Sequence, residues 1–202
     1  MTNAADSRLY PRLAEYIGVL PDGLDSYPDC KAKGTLITSA LEGHDTSELG
    51  EGLPDCIVEM LRSPPHPALW VPGTMSDAMF YVIVDAFYPD EEAVMNWTRR
   101  RTLKTADSKM YRALSRVARP TTMLRMAVAV HGMFQKGTDL AVEGKDGDVK
   151  FVLTHPPFLH GGLNHTVNIA MFDVLLDRAG ALGLTIEMTE STPTKAVYHA
   201  TW

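Results

Sequence analysis

The sequence has little cysteine, and its apolar runs are short. Cys30 and Cys56 are the two cysteines in 202 residues, which is too few for a disulfide framework, so we expect reduced thiols. The longest apolar runs, such as AMFYVIVDAFY, fall well short of the roughly 20 residues that span a bilayer. The N-terminal residues also lack the basic and apolar regions of a signal peptide. These absences predict a cytoplasmic protein with no membrane span.

The chain also lacks an excess of basic over acidic residues. Lys and Arg number 19 against 25 Asp and Glu, and the formal net charge is −6, whereas nucleic-acid-binding domains usually carry a strongly basic face. The basic cluster RRR at 99–101, with Lys104 behind it, does not make a single helix face because consecutive side chains diverge. We expect no nucleic-acid partner. The cluster is either a solvated surface or a docking patch for an acidic partner.

Catalytic signatures are absent too. There is no Gly-x-Ser-x-Gly nucleophile motif, and neither cysteine lies in a recognisable nucleophile context. Carboxylates are common in this acidic chain, but no pair is singled out by its setting. The sequence therefore names no catalytic residue set, and a non-enzymatic protein is the simpler expectation.

Hydrophobic periodicity predicts helices over most of the first two thirds of the chain and strands near its end. TDLAVEG and DVKFVLTH alternate apolar and polar residues around a KDG turn, which indicates a β-hairpin. The amphipathic segment NHTVNIAMFDVLLDRAG follows, and LGLTIEMTES and KAVYHATW supply two closing strands. A helical N-terminal half followed by strand, strand, helix, strand and strand predicts an α+β fold with a small antiparallel sheet.

Local signals place some of the element ends. Ser76 and Asn164 are candidate N-caps of two helices, because their side chains can accept from free backbone N–H groups. KGTLITSAL is expected to be extended, and a further helix is expected around SKMYRALSRVA. The segment SPPHPALWVPG is expected to be irregular, since its prolines fix the backbone and remove hydrogen-bond donors.

The first residues differ from the rest of the chain. A short helix that includes Leu13 and Tyr16 is followed by the turn-rich LPDGLDSYPDC. Residues 1–30 are therefore predicted to be an N-terminal helical extension and linker. Residues 31–202 are predicted to be a single α+β domain, a length that can bury one core.

Four segments carry a resemblance to known proteins: KAKGTLITSAL, RALSRVARPTTMLRMAVAVHGMFQKG, GGLNHTVNIAMFDVLLDRAG and the terminal AVYHATW. The chain resembles an uncharacterised bacterial family of single-domain proteins, abundant in myxobacteria. That family is similar to the superfamily of haem-NO-binding domains and vinyl-reductase-type ligand-binding domains. The resemblance covers about Lys31 to Trp202. It implies a pocket between the helical layer and the sheet, used to sense or carry a small molecule.

The haem-binding members of this superfamily have a histidine in the helix before the hairpin and a Tyr-x-Ser-x-Arg motif that leads into the next helix. Here His131 lies in the corresponding helix, about one turn late, and the lead-in is THPPFLHGGL. Vinyl-reductase-type relatives often carry cysteines that could hold a metal, but no cysteine follows Cys56. No cofactor is therefore assigned, and haem or zinc stays an alternative.

Three histidines lie five residues apart before the long C-terminal helix: His155, His160 and His165. Histidine nitrogens are zinc ligands, and His199 on the final strand is a candidate fourth. A spacing of five is not helical, however, and a diproline and a diglycine turn the chain twice here. We expect a strand-to-helix connection with histidines in loop and cap positions. A metal site formed by these three histidines is the alternative.

Methionine is abundant, with 11 residues, and its flexible thioether both fills irregular cores and lines adaptable pockets. The expected ligand pocket includes residues of the middle helix and of the long C-terminal helix: Met123, Met126, Val130, His131, Phe134 and Met171. From the residues alone, the simpler expectation is that the methionines fill a core and that His131 is a hydrogen-bonded structural histidine.

These observations lead to one main functional hypothesis and two alternatives. The main one is a non-enzymatic sensor or regulatory domain that binds a small apolar or amphipathic molecule and signals to a protein partner or a second copy of itself. The first alternative is an adaptor with a vestigial pocket, which would use the N-terminal extension before Lys31 and the proline-rich loop with an exposed Trp70. The second alternative is a haem or metal protein that uses His131 or the histidine series.

Overall fold

A computed structural model of the chain describes residues 4–107 and 119–202. The helix expected around SKMYRALSRVA lies outside the described residues. In chain order the elements are α1 (Pro11–Val19), a 3-10 turn (Gly23–Asp25), β1 (Lys31–Lys33), α2 (Gly34–Leu41), α3 (Asp55–Arg62), β2 (Trp70–Pro72), α4 (Gly73–Phe87), α5 (Glu91–Ala106), α6 (Pro120–Phe134), β3 (Gln135–Lys136), β4 (Asp139–Lys145), β5 (Asp148–Thr154), α7 (Gly162–Arg178), β6 (Thr185–Thr192) and β7 (Lys195–Thr201).

The chain divides into two compact units. The first runs from the N-terminal segment through Pro89 and includes Phe134–Gly137 and Pro156–Leu159. The second consists of Asp90–Met133, Thr138–His155 and His160–Trp202. The predicted boundary at residue 30 stays a prediction.

The first unit is built around α4, which contacts α1, α2 and α3. Its apolar residues are nearly continuous, so side chains on several sides of the helix are buried, among them Ala78, Met79, Val82 and Ile83. A helix that is apolar all round belongs in a core. A three-stranded antiparallel sheet of order β2-β1-β3 completes the unit.

The second unit is a four-stranded antiparallel sheet of order β4-β5-β7-β6, with α7 contacting β6 and α5 packed against α7. Burial alternates along β5 and β7, as expected when one face of a sheet covers a core. Phe151 of β5 stacks on Phe172 of α7 with ring centroids 4.4 Å apart. The core of this unit is therefore a helix-on-sheet layer.

The α+β class and the C-terminal order of strand, strand, helix, strand and strand are confirmed. The KDG turn joins β4 to β5, with Gly147 at φ 91°, a conformation that glycine adopts without steric cost. The three-stranded sheet was not expected. All three of its strands are only two or three residues long, which is too short for an alternating pattern to show.

Four local predictions are wrong in whole or in part. KGTLITSAL is not extended beyond Lys33, because its remainder forms α2, whose contact with α4 buries Ile37 and Ala40 three residues apart on one helix face. Ser76 lies within α4, which begins three residues earlier at Gly73. Asn164 lies within α7, whose N-cap is Gly161. The proline-rich segment also ends in a strand, β2.

Within the described ranges, every helix is too short or too polar to cross a bilayer.

Candidate functional site

Two of the three spaced histidines meet in the second unit. His155 follows β5 directly, and His165 lies in the first turn of α7. Their Nε2 atoms are 2.9 Å apart, a hydrogen-bonding distance. The Nδ1 atom of His165 lies 2.9 Å from Ser191 Oγ on β6. The result is a chain of three polar side chains that joins β5, α7 and β6.

His160 completes the cluster. Its ring lies edge-on to that of His155, with centroids 4.9 Å apart, and the His155 and His165 centroids are 5.1 Å apart. All three histidines are buried, and His165 is 1% exposed. The histidine cluster, defined here as His155, His160 and His165, is therefore a buried polar group rather than a set of exposed loop and cap side chains.

Backbone contacts hold this geometry in place. The Tyr198 hydroxyl on β7 donates to the backbone oxygen of His165 at 2.9 Å, and Asn168 Nδ2 donates to that hydroxyl at 3.2 Å. The His155 backbone N–H donates to Thr194 O between β6 and β7. Burial raises the pKa of Tyr198 to about 12, so its O–H stays protonated as a donor. The first turn of α7 is thus tied to the sheet at a fixed position.

The cluster is uncharged at His165 near neutral pH. Burial, and then the positive charge that His155 and His160 would carry, lower the pKa of His165 to about 4. A neutral imidazole has one N–H and one lone pair. Those two groups are enough for the two contacts to His155 and Ser191, whichever ring nitrogen carries the proton.

The contact between Ser191 and His165 also resembles a nucleophile with its base. Ser191 is exposed, so its hydroxyl could reach a substrate. A base with a pKa of about 4 is weak at neutral pH, however, because efficient general bases titrate near the working pH. This pair is therefore better suited to structure than to hydrolysis.

The predicted metal ligands do not have the geometry of a metal centre. In residues 4–107 and 119–202, no group of three or more His, Cys, Asp or Glu side chains is arranged to hold a metal ion. A hydrogen bond between the Nε2 atoms of His155 and His165 places a proton on one of them, and that proton takes the lone pair a metal would need. His199 does not join the cluster, since it contacts Asp148 at 2.8 Å.

The predicted pocket residues lie mainly on one face of α6. Met123 is buried, whereas Met126, Val130, His131 and Phe134 are half-buried. Met171 on α7 is half-buried and packs against the core cluster that contains Leu124 of α6. The spacing of three and four along α6 puts its five residues on one helix face.

His131 has a hydrogen-bond partner. Its Nε2 lies 2.9 Å from the Thr138 hydroxyl, just beyond the end of α6. Burial, and then the nearby His160, lower the pKa of His131 below its usual value. The expectation of a hydrogen-bonded histidine at this position describes its contacts well.

Two surface pockets of about 410 and 400 Å³ lie elsewhere. The first is on the β4–β5 hairpin around Glu143 and Lys150, and the second is in the first unit around Cys56 and Met75. Neither touches the histidine cluster or α6. Both are open depressions lined in part by charged side chains, unlike the enclosed apolar pockets that bind small molecules.

Sequence reasoning missed Ser191, Tyr198 and Asn168. A serine and a tyrosine on separate strands carry no local signal, because their contacts depend on strand order and register. Asn168, three residues after His165, was detectable in principle as a neighbour on the same helix face.

No protein-family model and no curated protein matches the chain. Solved structures do match its fold. One, from work on how protein-induced porphyrin distortion modulates haem redox potential, has a TM-score of 0.55 and 10% identity over 84% of this chain and 97% of that one. A second, solved to study the mechanism of H-NOX activation, has a TM-score of 0.52 and 9% identity over 83% and 92%.

A third match is a single-substitution mutant of T. Tengcongensis H-NOX, with a TM-score of 0.52 and 11% identity over 83% of this chain and 93% of that one. Identities this low describe the fold alone. The narrower resemblance to the myxobacterial family and to vinyl-reductase-type domains stays a prediction. The chain has a fold related to that of H-NOX, haem-NO-binding domains.

Proposed function

We propose that the chain is a non-enzymatic, cytoplasmic ligand-binding domain with a sensor or regulatory role. Its ligand would be a small apolar or amphipathic molecule, and its binding surface would be the face of α6 with Met123, Met126, Val130, His131 and Phe134, together with Met171 of α7. The likeness to H-NOX structures supports the fold on which this proposal depends.

The incomplete burial of α6 is the observation that carries the proposal. The first turn of the helix is well held, because the Thr121 hydroxyl donates to the Asp146 carboxylate and Met123 and Leu124 are buried. Further along the same face, Met126, Val130 and Phe134 are only half-buried. Covering apolar surface gains about 25 cal/mol per Å². Binding of an apolar molecule would therefore be favoured, because it would bury apolar surface of this face that is partly exposed in the protein alone.

A bound ligand could affect the core of the second unit, because α6 packs into that core next to the proposed binding surface. Leu124 of α6 and Phe172 of α7 belong to one core cluster, against which Met171 also packs. A ligand on Met126 and Val130 would therefore contact a helix whose first half is already part of that core. A shift in state requires that the ligand bind one arrangement of α6 more tightly than another.

The residues of α6 and of the lead-in to α7 are a poor match for haem, although structures of similar fold come from work on haem proteins. His131 is the histidine on α6, and its Nε2 is engaged with Thr138 at 2.9 Å. The lead-in to α7 is tied to the sheet through the histidine cluster and has no Tyr-x-Ser-x-Arg motif. We therefore propose a ligand that needs apolar contact rather than an axial nitrogen.

Native mass spectrometry of the protein purified from its own source tests the proposal, with the same sample denatured as reference. We expect an added mass that is lost on denaturation.

Titration with anilinonaphthalene sulfonate, an amphipathic fluorescent probe, tests the surface itself. It should show saturable binding that Val130→Trp weakens, because the larger side chain would occupy the binding surface. Ala129→Trp is the matched control, because Ala129 is the exposed neighbour on the same helix. Equal probe binding by both variants would contradict the proposed surface.

A further inference from the structure

The outward face of the three-stranded sheet in the first unit is basic and aromatic. The antiparallel register pairs Lys33 of β1 with Trp70 of β2, and Lys31 of β1 with Lys136 of β3. Ala32, between the two β1 lysines, is 2% exposed and faces the opposite way into the core. Lys31, Lys33, Trp70 and Lys136, named here the Trp70 patch, therefore lie on one side of the sheet.

Two ammonium groups converge on a single indole in this patch. Lys33 Nζ lies 4.1 Å from the centroid of the Trp70 ring, and Lys136 Nζ lies 4.4 Å from it. Each contact is favourable by itself, because a cation is attracted to the electron-rich face of an indole. Because both Nζ atoms lie so close to one ring centroid, the distance between them is at most about one Debye length, ~8 Å at physiological ionic strength. The two positive charges therefore repel each other.

Within residues 4–107 and 119–202, the lysines of the patch form no ion pair with a carboxylate. The protein as a whole carries a formal net charge of −6. A cluster of unpaired lysines on an acidic protein attracts a complementary anionic group from outside.

The patch is held on a rigid support. Lys33 Nζ donates to Ala68 O at 2.8 Å, and the Gly34 backbone N–H donates to Leu69 O at 2.8 Å. Gly34 approaches the loop so closely that an added Cβ would lie 2.5 Å from His66 O. Beside the patch, Leu69 is 57% exposed. Leu69 directly precedes Trp70, so an exposed apolar side chain adjoins the patch along the chain.

We propose that the Trp70 patch is a docking site for an acidic segment of a partner protein that carries an apolar side chain. Carboxylates of the segment would pair with Lys33 and Lys136, and its apolar residue would contact Leu69. Nucleic acid suits the patch less well, because the ammonium groups occupy the ring that a base would stack on. An anionic lipid surface extends beyond the patch and would also face the acidic residues around it, whereas an acidic peptide segment can contact the patch alone. The proposal does not rest on the ligand proposed for α6.

Fluorescence anisotropy of a fluorescein-labelled peptide, DEDLEDE, tests this site. We expect saturable binding that weakens with salt and falls roughly tenfold or more in Lys33→Glu/Lys136→Glu. Lys145→Glu/Lys150→Glu changes the net charge equally on the exposed β4–β5 hairpin and should stay within about twofold of the parent. Because Lys33 also holds Ala68, the milder Lys136→Gln is measured beside the double variant, and circular dichroism checks each fold.

Two further probes separate the other occupants: a thymidine oligonucleotide and phosphatidylglycerol vesicles. The proposal expects neither to bind more tightly than the peptide through Lys33 and Lys136. It is overturned if the peptide does not bind saturably, if Lys33→Glu/Lys136→Glu binds it as well as the control does, or if either probe outcompetes the peptide at the patch.

Discussion

His155 and His165, ten residues apart in the chain, share a hydrogen bond of 2.9 Å between their Nε2 atoms inside the second unit. One lies at the end of β5 and the other in the first turn of α7, so the bond fixes where the helix starts relative to the sheet. Buried polar pairs of this kind stabilise a structure only while every member stays satisfied and uncharged. The pair therefore makes this part of the fold sensitive to protonation.

Acid should destabilise the protein through His165. Its pKa is about 4 in the folded protein and about 6.5 in an unfolded chain, so the unfolded state binds more protons between those values. The free energy of unfolding should therefore fall as the pH drops from about 6.5 to about 4, by roughly 3 kcal/mol, and level off below. Urea titrations across this range measure it. His165→Gln should lack that component, and an identical pH profile in the variant would refute it.

Ser191→Ala should weaken the attachment of α7 to β6. The variant removes the partner of His165 Nδ1, and losing one hydrogen bond at a partly exposed position costs about 1 kcal/mol. Chemical denaturation gives the difference directly. Thr185→Ala, an exposed position at the start of the same strand, serves as the control and should change stability by less. Equal losses in the two variants would mean that the contact contributes nothing.

Zinc should not raise the melting temperature. A bound ion stabilises the folded state by an amount that grows with the logarithm of its affinity. The hydrogen-bonded histidine pair leaves no converging set of lone pairs among the described residues. Thermal denaturation with equimolar zinc and with a chelator measures the effect. A rise of several degrees that disappears in His155→Ala would support the metal site instead.

Asp85 of α4 should be essential for holding α1. Its side chain is fully buried, accepts from the Leu13 backbone N–H at 3.0 Å and pairs with Arg12 at 3.4 Å. Burial raises the pKa of this carboxyl. Asp85→Ala would leave the Leu13 N–H and Arg12 without this acceptor, and the free energy of unfolding should fall by about 1 to 3 kcal/mol. Trypsin should then cleave faster after Arg12. Glu92→Ala, an exposed acidic position, should leave the cleavage rate unchanged.

Much of the second unit could be predicted from the chain. The alternation in β4 and β5 and the KDG turn between them are local patterns, and so is the amphipathic period of α7. Each of these patterns depends on residues close together in the sequence. The C-terminal order of elements could therefore be predicted without knowledge of tertiary contacts. The ends of the elements were harder to predict. Ser76 and Asn164 are residue types that often occupy N-cap positions, but α4 and α7 begin earlier in the chain.

The first unit shows the limit of local patterns. Thr35, Ile37 and Thr38 favour a strand by their β-branched side chains, yet they lie in α2 because packing against α4 buries Ile37 and Ala40 together. The strands β1, β2 and β3 are two or three residues long and pair across dozens of positions, so no window of sequence contains their signal.

The sequence by itself determined the fold class, the C-terminal topology and the residue types available for a site: histidines near the strand-to-helix joint and methionines along α6. Only the tertiary structure decided which of them meet. The contact from His165 to Ser191 and the convergence of Lys33 and Lys136 on Trp70 depend on strand register. Register is set by long-range pairing, and a shift of one residue would turn these side chains to the opposite face.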